Sequence, residues 1–217
     1  SRKLFQLLSH LVILSVFLIS CSREDAPPPF EPPQQEARTG DVLFRRGRSL
    51  ISRAVLWADS AGEYSHVGVI IRHKGDVLVV HAEPGDRLED GHVRAEPVDS
   101  FLASDRASTW ALYRPVKQLD SAEASVLTDA ALQHVRNRTP FDAALDTGDS
   151  TQMYCTELVL DLYRAASRDL DIPTRRLSLL GQTREVILPS DIASSRSFRF
   201  LTGSPRRDTR PGNDVNF

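Results

Sequence analysis

Two β-branched runs, Val67-Gly-Val-Ile-Ile71 and Val77-Leu-Val-Val80, stand either side of His73-Lys-Gly-Asp76, and no other stretch of the 217 residues constrains the fold as tightly. A short Gly-containing connection between two such runs specifies an antiparallel hairpin. With the turn centred on Lys74 and Gly75, Val69 pairs with Val80 and Ile71 with Leu78. Val67, Val69, Ile71, Leu78, Val80 and Ala82 then share one apolar face, fit for a core. The opposite face carries His66, His81 and Glu83, with His66 across from Glu83 and diagonal to His81. A slip of one residue would turn one strand's apolar set to the wrong side, so the hydrophobic pattern also fixes the polar cluster.

The other elements follow from period and punctuation. Asp41-Val-Leu-Phe44, after Thr39-Gly40, reads as a strand, and Trp110 to Arg114 as another that Pro115 ends. Arg48 to Asp59 places Leu50, Ile51, Ala54, Val55 and Trp57 at near-helical spacing. Asp120-Ser-Ala-Glu123 has capping-box spacing and predicts a helix to about Val135, with Leu127, Ala130, Ala131 and His134 on one face. A second helix, from near Tyr154 to about Ser167, buries Leu158, Val159, Leu162 and Ala166. A short Val186-Ile-Leu188 segment closes the series. The order predicts an α+β domain, an antiparallel sheet packed against helices, and there is no internal repeat.

The ends differ in kind. Arg2 and Lys3 precede the apolar run Leu11 to Ile19, then Ser20 and Cys21. The run is shorter than the roughly 20 residues that span a bilayer, and it reads as a secretory signal over residues 1–20. Residues 21–38 hold five of the chain's 13 prolines and read as a semi-rigid tether. Residues 204–217 lack apolar period and read as a disordered tail, which leaves 39–203 as the folded domain. With 27 basic against 29 acidic residues and no basic run, a nucleic-acid partner is not expected.

The chemistry lies in His66, His81, Glu83 and Cys155. Imidazole moves protons near neutral pH, and a second imidazole or a carboxylate can fix its tautomer. Two histidines and a carboxylate can also hold a metal, the competing reading. Cys155 opens the second predicted helix, where backbone N–H groups and the helix dipole favour thiolate. A thiol beside an imidazole is a nucleophile with its own general acid and base. A metal-binding or catalytically silent envelope module remains the alternative.

Leu18-Ile-Ser-Cys21 resembles the bacterial lipobox, which implies lipid attachment at Cys21, a membrane partner through that lipid, and an envelope location facing the periplasm. Ser22 favours the outer over the inner membrane where one exists. Ser65-His-Val-Gly-Val69, Val79-Val-His-Ala-Glu83 and Tyr154-Cys-Thr-Glu-Leu-Val159 resemble the three signature blocks of the circularly permuted papain-like cysteine hydrolases of the NlpC superfamily, YiiX/YebB-like branch. Gly40 to Phe44, Glu96 to Leu102, Phe141-Asp142 and Leu188 to Ile192 extend the likeness. The resemblance implies a permuted papain-like fold with Cys155 as nucleophile, His66 as base and acid, and His81 as orienter. Glu83 is a candidate for that third role, and Tyr154 for lining the site. It implies an amidase or peptidase that uses neither cofactor nor metal, acting on cell-envelope peptides such as peptidoglycan stems. A lipid esterase or acyltransferase is the second activity, although Tyr-Cys-Thr-Glu departs from the Asn-Cys-Glu-His of acyltransferase relatives.

Overall fold

A computed structural model describes residues 34–59, 62–85, 90–145, 149, 151–179 and 182–204. The apolar N-terminal segment, Cys21, most of the Pro-rich segment and all but the first residue of the C-terminal tail lie outside these. Among the described residues no helix is long and apolar enough to cross a membrane.

The chain runs β1 (Val42–Gly47), α1 (Leu50–Ala58), β2 (His66–His73), β3 (Asp76–Glu83), β4 (His92–Pro97), α2 (Val98–Phe101), β5 (Ala107–Pro115), α3 (Ser121–Asn137), α4 (Cys155–Ala165), β6 (Arg175–Leu179), β7 (Gln182–Val186), α5 (Pro189–Ser194) and β8 (Phe198–Gly203). Six strands form one sheet in the order β4-β3-β2-β1-β5-β8, and β6 and β7 form a separate hairpin. Every neighbouring pair is antiparallel.

The central hairpin has the expected register, Val69 opposite Val80, Ile71 opposite Leu78 and His73 opposite Asp76. Lys74 (φ 52°) and Gly75 (φ 93°) both take the left-handed conformation that a two-residue hairpin turn requires. Val67, Val69, Ile71, Val80 and Ala82 then face Leu158, Val159 and Leu162 of α4 in one buried core. Each of those α4 side chains contributes about 1.5–3 kcal/mol by leaving water. The Asp120–Glu123 capping box starts α3, which buries Leu127 and Ala131.

The structure departs from the expected pattern in several elements: β4, β6 and β8 are strands the sequence pattern does not predict, and α2 and α5 are further short helices. Strand β1 runs beyond Phe44 to Gly47, which brings Arg45 into the sheet beside His66. β4 is an additional strand of six residues, only two of whose side chains, Val93 and Ala95, are turned to the core. Val186 ends β7 but Ile187 and Leu188 do not continue as strand, because Leu188 caps α5 with its N–H bonded to Asp191 Oδ2 at 2.7 Å. Helix α1 forms with Ser49 as N-cap, yet none of its residues is buried, so its apolar stripe adds nothing to the core.

The end of the Pro-rich segment lies on the domain. Arg72 donates from Nε to the Ala37 carbonyl at 2.8 Å, and Arg114 from Nη2 to that of Glu36 at 2.7 Å. Arg114 also grips buried Asp41 at both carboxylate oxygens, 2.8 and 2.7 Å.

Candidate active site

His66 begins β2, and His81 lies two strand-widths from β1 on β3. Gly68 makes their meeting possible. A Cβ there would fall 2.5 Å from Val79 Cγ1 and 3.0 Å from His81 Cβ, so only glycine lets the His81 side chain lie across β2. His66 Nε2 and His81 Nδ1 are 2.9 Å apart in a buried hydrogen bond. The far nitrogen of His81, Nε2, lies 2.9 Å from Glu96 Oε1 on β4. Neither atom has another hydrogen-bond partner, and the negative carboxylate favours the His81 proton on Nε2.

The row ties the proton positions to one another. If His81 keeps its proton on Nε2, toward the carboxylate, its Nδ1 must accept from His66 Nε2–H. That leaves His66 Nδ1 as the bare, basic nitrogen. Phe101 floors the row, stacked on His66 at 5.7 Å between centroids, edge-on to His81 at 5.0 Å, and 4.4 Å from the Arg45 guanidinium carbon.

Glu83 does not sit across from His66. The β2–β3 pairing stops at Val69 and Val80; His66 is opposite Arg45 on β1, and Glu83 is opposite His92 on β4. The Glu83 carboxylate is held by Arg45 and by Arg106 Nη2, the latter at 2.6 Å, while Arg106 Nη1 holds Glu96 at 2.7 Å. Burial alone would raise Glu96, but its contacts with His81 and Arg106 outweigh this and hold it down at about 2. Burial also raises Glu83, and the charges of His81 and Arg45 bring it below the usual carboxylate value. Burial, followed by the Arg45 charge, keeps His66 well below the ordinary imidazole value, and burial lowers His81 against the pull of Glu96. Both imidazoles therefore favour the neutral form more than a free imidazole does.

Cys155 is the first residue of α4 and is 9% exposed. The helix N-terminus does not make it a ready thiolate. Burial pushes the thiol up to about 11, overriding the backbone N–H groups of Val67, Thr156 and Cys155 itself and the Arg45 charge. Below that value the thiolate fraction grows about tenfold per pH unit. Iodoacetamide labelling of Cys155, followed by mass spectrometry, is expected to climb steadily from pH 7 to pH 10. A plateau already reached at pH 7 would mean a preformed thiolate–imidazolium pair.

Cys155 and His66 line one cavity of about 300 Å³. Arg45, Glu83 and Tyr154 also border it, and its walls are apolar, from Ile51 and Val55 of α1, Leu145 before the nucleophile, and Ile187 and Leu188 before α5. Tyr154 is buried, its hydroxyl accepting from the Ile187 N–H at 3.2 Å, while the Thr156 hydroxyl donates to the Ile187 carbonyl at 2.7 Å. These two bonds fix that wall beside the sulfur. Glu157 accepts from the Tyr154 N–H at 3.1 Å and so caps α4.

A six-stranded antiparallel sheet thus carries a buried histidine pair on its central hairpin and packs against a helix opened by a buried cysteine. Residues 36–201 match the family of permuted papain-like amidase enzymes, YaeF/YiiX, C92, and the chain belongs to that family. Among solved structures it is similar to one described as the metalloprotein yiiX from Escherichia coli O157:H7, with a TM-score of 0.64 and 18% identity over 76% of this chain and 96% of that one. No match was found among curated proteins.

Proposed function

We propose that this protein is a thiol amidase of the bacterial cell envelope, held to a membrane by lipid on Cys21, with Cys155 as nucleophile and His66 as its base and acid. The observation that carries this reading is the sharing of one cavity by Cys155 and by a histidine whose other nitrogen is engaged by His81. As Sγ attacks the amide carbonyl carbon, the thiol proton passes to His66 Nδ1. The Cys155 backbone N–H at the head of α4 is the donor for the developing oxyanion. His66 then protonates the leaving amine, and the C–N bond breaks to leave a thioester. Water attacks that thioester, giving its proton to His66 and releasing the carboxylic acid and the thiol. His81 and Glu96 are positioning residues.

Envelope amides are the substrate class, peptidoglycan stem peptides among them. The apolar walls favour a substrate whose acyl portion is itself apolar, so lipid amides and esters belong in the same panel. Incubation with such a panel, acid quench and mass spectrometry is expected to show an acyl adduct on Cys155. Turnover of any panel member with no adduct on Cys155 at any time would overturn the mechanism.

A metal reading has one observation in its favour: His66, His81 and Glu83 each offer a donor atom, all within 4.8 Å of one another. The similar structure is also described as a metalloprotein. Against it, Arg45 and Arg106 already neutralise Glu83, and a cation would have to part the two imidazoles. Stoichiometric metal in the purified protein, with activity lost to a chelator, would favour this reading over the thiol one.

A further inference from the structure

Helix α1 is an anomaly of packing. Seven of its nine residues are apolar and none is buried. Leu50 is 80% exposed and Trp57 83%. The helix is held by its polar ends instead: Ser49 caps it, and Asp59, just past its last residue, is gripped by the Ser190 hydroxyl at 2.7 Å and by Arg175. One stripe, Ile51, Val55 and Ala58, forms a wall of the catalytic cavity. The other, Leu50 and Trp57 with Arg53 between them, points to solvent at the spacing of neighbours on one helix face.

We infer that α1 is a lipid-docking surface that seats the mouth of the active site on an anionic bilayer. Three observations select this occupant. Leu, Trp and Arg on one exposed stripe are the residues that lie at the boundary of headgroups and acyl chains. From Arg45 to Ala58 the chain carries four arginines and no acidic residue, and Arg46, Arg48 and Arg53 are exposed, so the surface complements negative headgroups. The Pro-rich segment from Cys21 ends on the domain at Gln34–Arg38, and at about 3 Å per residue it is long enough for the domain to reach the surface while anchored. The inference rests on the lipid-anchor reading for this last point alone. It also accounts for the apolar walls, since an acyl group leaving the bilayer would enter along Ile51 and Val55.

The test uses the full chain mixed with vesicles of phosphatidylglycerol and brominated phosphatidylcholine, with Trp57→Phe separating Trp57 emission from that of buried Trp110. Trp57 emission is expected to shift to the blue and be quenched by the bromines, with at least a twofold weaker effect in vesicles of phosphatidylcholine alone or in the Arg53→Glu protein. Quenching of Trp57 supports docking whether or not Cys21 carries lipid, which the mass of the N-terminal peptide reports separately. An anchored or vesicle-bound protein whose Trp57 stays unquenched overturns it. So does Trp57 emission already blue-shifted without vesicles, since the stripe would then be covered by a second copy or by the chain's own N-terminal segment.

Discussion

Cys155→Ala is expected to lower turnover of any substrate of this enzyme by about 10⁴-fold or more, to the level left by binding and backbone contacts alone. His66→Ala should cost nearly as much, and the double variant little beyond either single one. Nucleophile and base act as a unit, so removing one leaves the other without a task. Cys155→Ala removes one atom from the core and should leave thermal unfolding close to that of the parent. His66→Ala vacates the face of Phe101 and leaves His81 Nδ1 without its partner, so its unfolding temperature should fall and its turnover is compared at a temperature where it is folded. A Cys155→Ala protein with unchanged turnover would remove the thiol mechanism outright. A His66→Ala protein with full turnover would assign the proton transfers elsewhere.

Glu96→Gln is the second large effect, about 10- to 100-fold in kcat with KM little changed. Glu96 holds His81 in the tautomer that leaves His66 Nδ1 bare, and its charge steadies the imidazolium that forms on His66 during attack. A neutral amide keeps the shape and loses the charge. The pH dependence distinguishes this from simple damage. Because the folded carboxyl lies near 2, below its ordinary value, Glu96 is ionised throughout the range above about pH 4.5. Its stabilising effect is complete there and fades only as pH falls toward 2. The ratio of parent to variant should therefore be flat from pH 5 to 9. Glu96→Asp, which restores the charge with a shorter reach, should recover part of the rate. A ratio that collapses to one at any pH in that window, or a Glu96→Asp protein no better than Glu96→Gln, would make Glu96 only a structural partner of Arg106.

The parts of the site legible in the sequence are those written in a strong period. The hairpin register follows from two β-branched runs around one turn, and it alone turns His66 and His81 to the same side. The two long helices are legible from capping and apolar spacing, and the second places Cys155 at a helix start. The parts that stayed hidden lie in weak or interrupted patterns. β4 alternates Val93 and Ala95 with Arg94 and Glu96 over six residues, too short a pattern to separate from loop, so the carboxylate facing His81 could not be placed. Arg45 lies just past the apolar run of β1, where strand and turn look alike. That arginine and Arg106 draw Glu83 away from the place the pleat alone would give it. The sulfur's environment was hidden for another reason: a helix terminus is local and visible in sequence, whereas the burial that raises Cys155 comes from elements across the whole domain.

The path of the chain through this site has a consequence in time. His66 belongs to the sheet's central hairpin and Cys155 to a helix that enters only after β5 and α3, while the wall clamped by Thr156 and Tyr154 comes from the segment after β7. Such distant pairings close late in folding. A nascent or half-threaded chain therefore carries its histidines long before it owns a nucleophile, and when the cysteine arrives its pocket still lacks a side. Connectivity alone therefore delays assembly of the site until the segment after β7 has joined the domain.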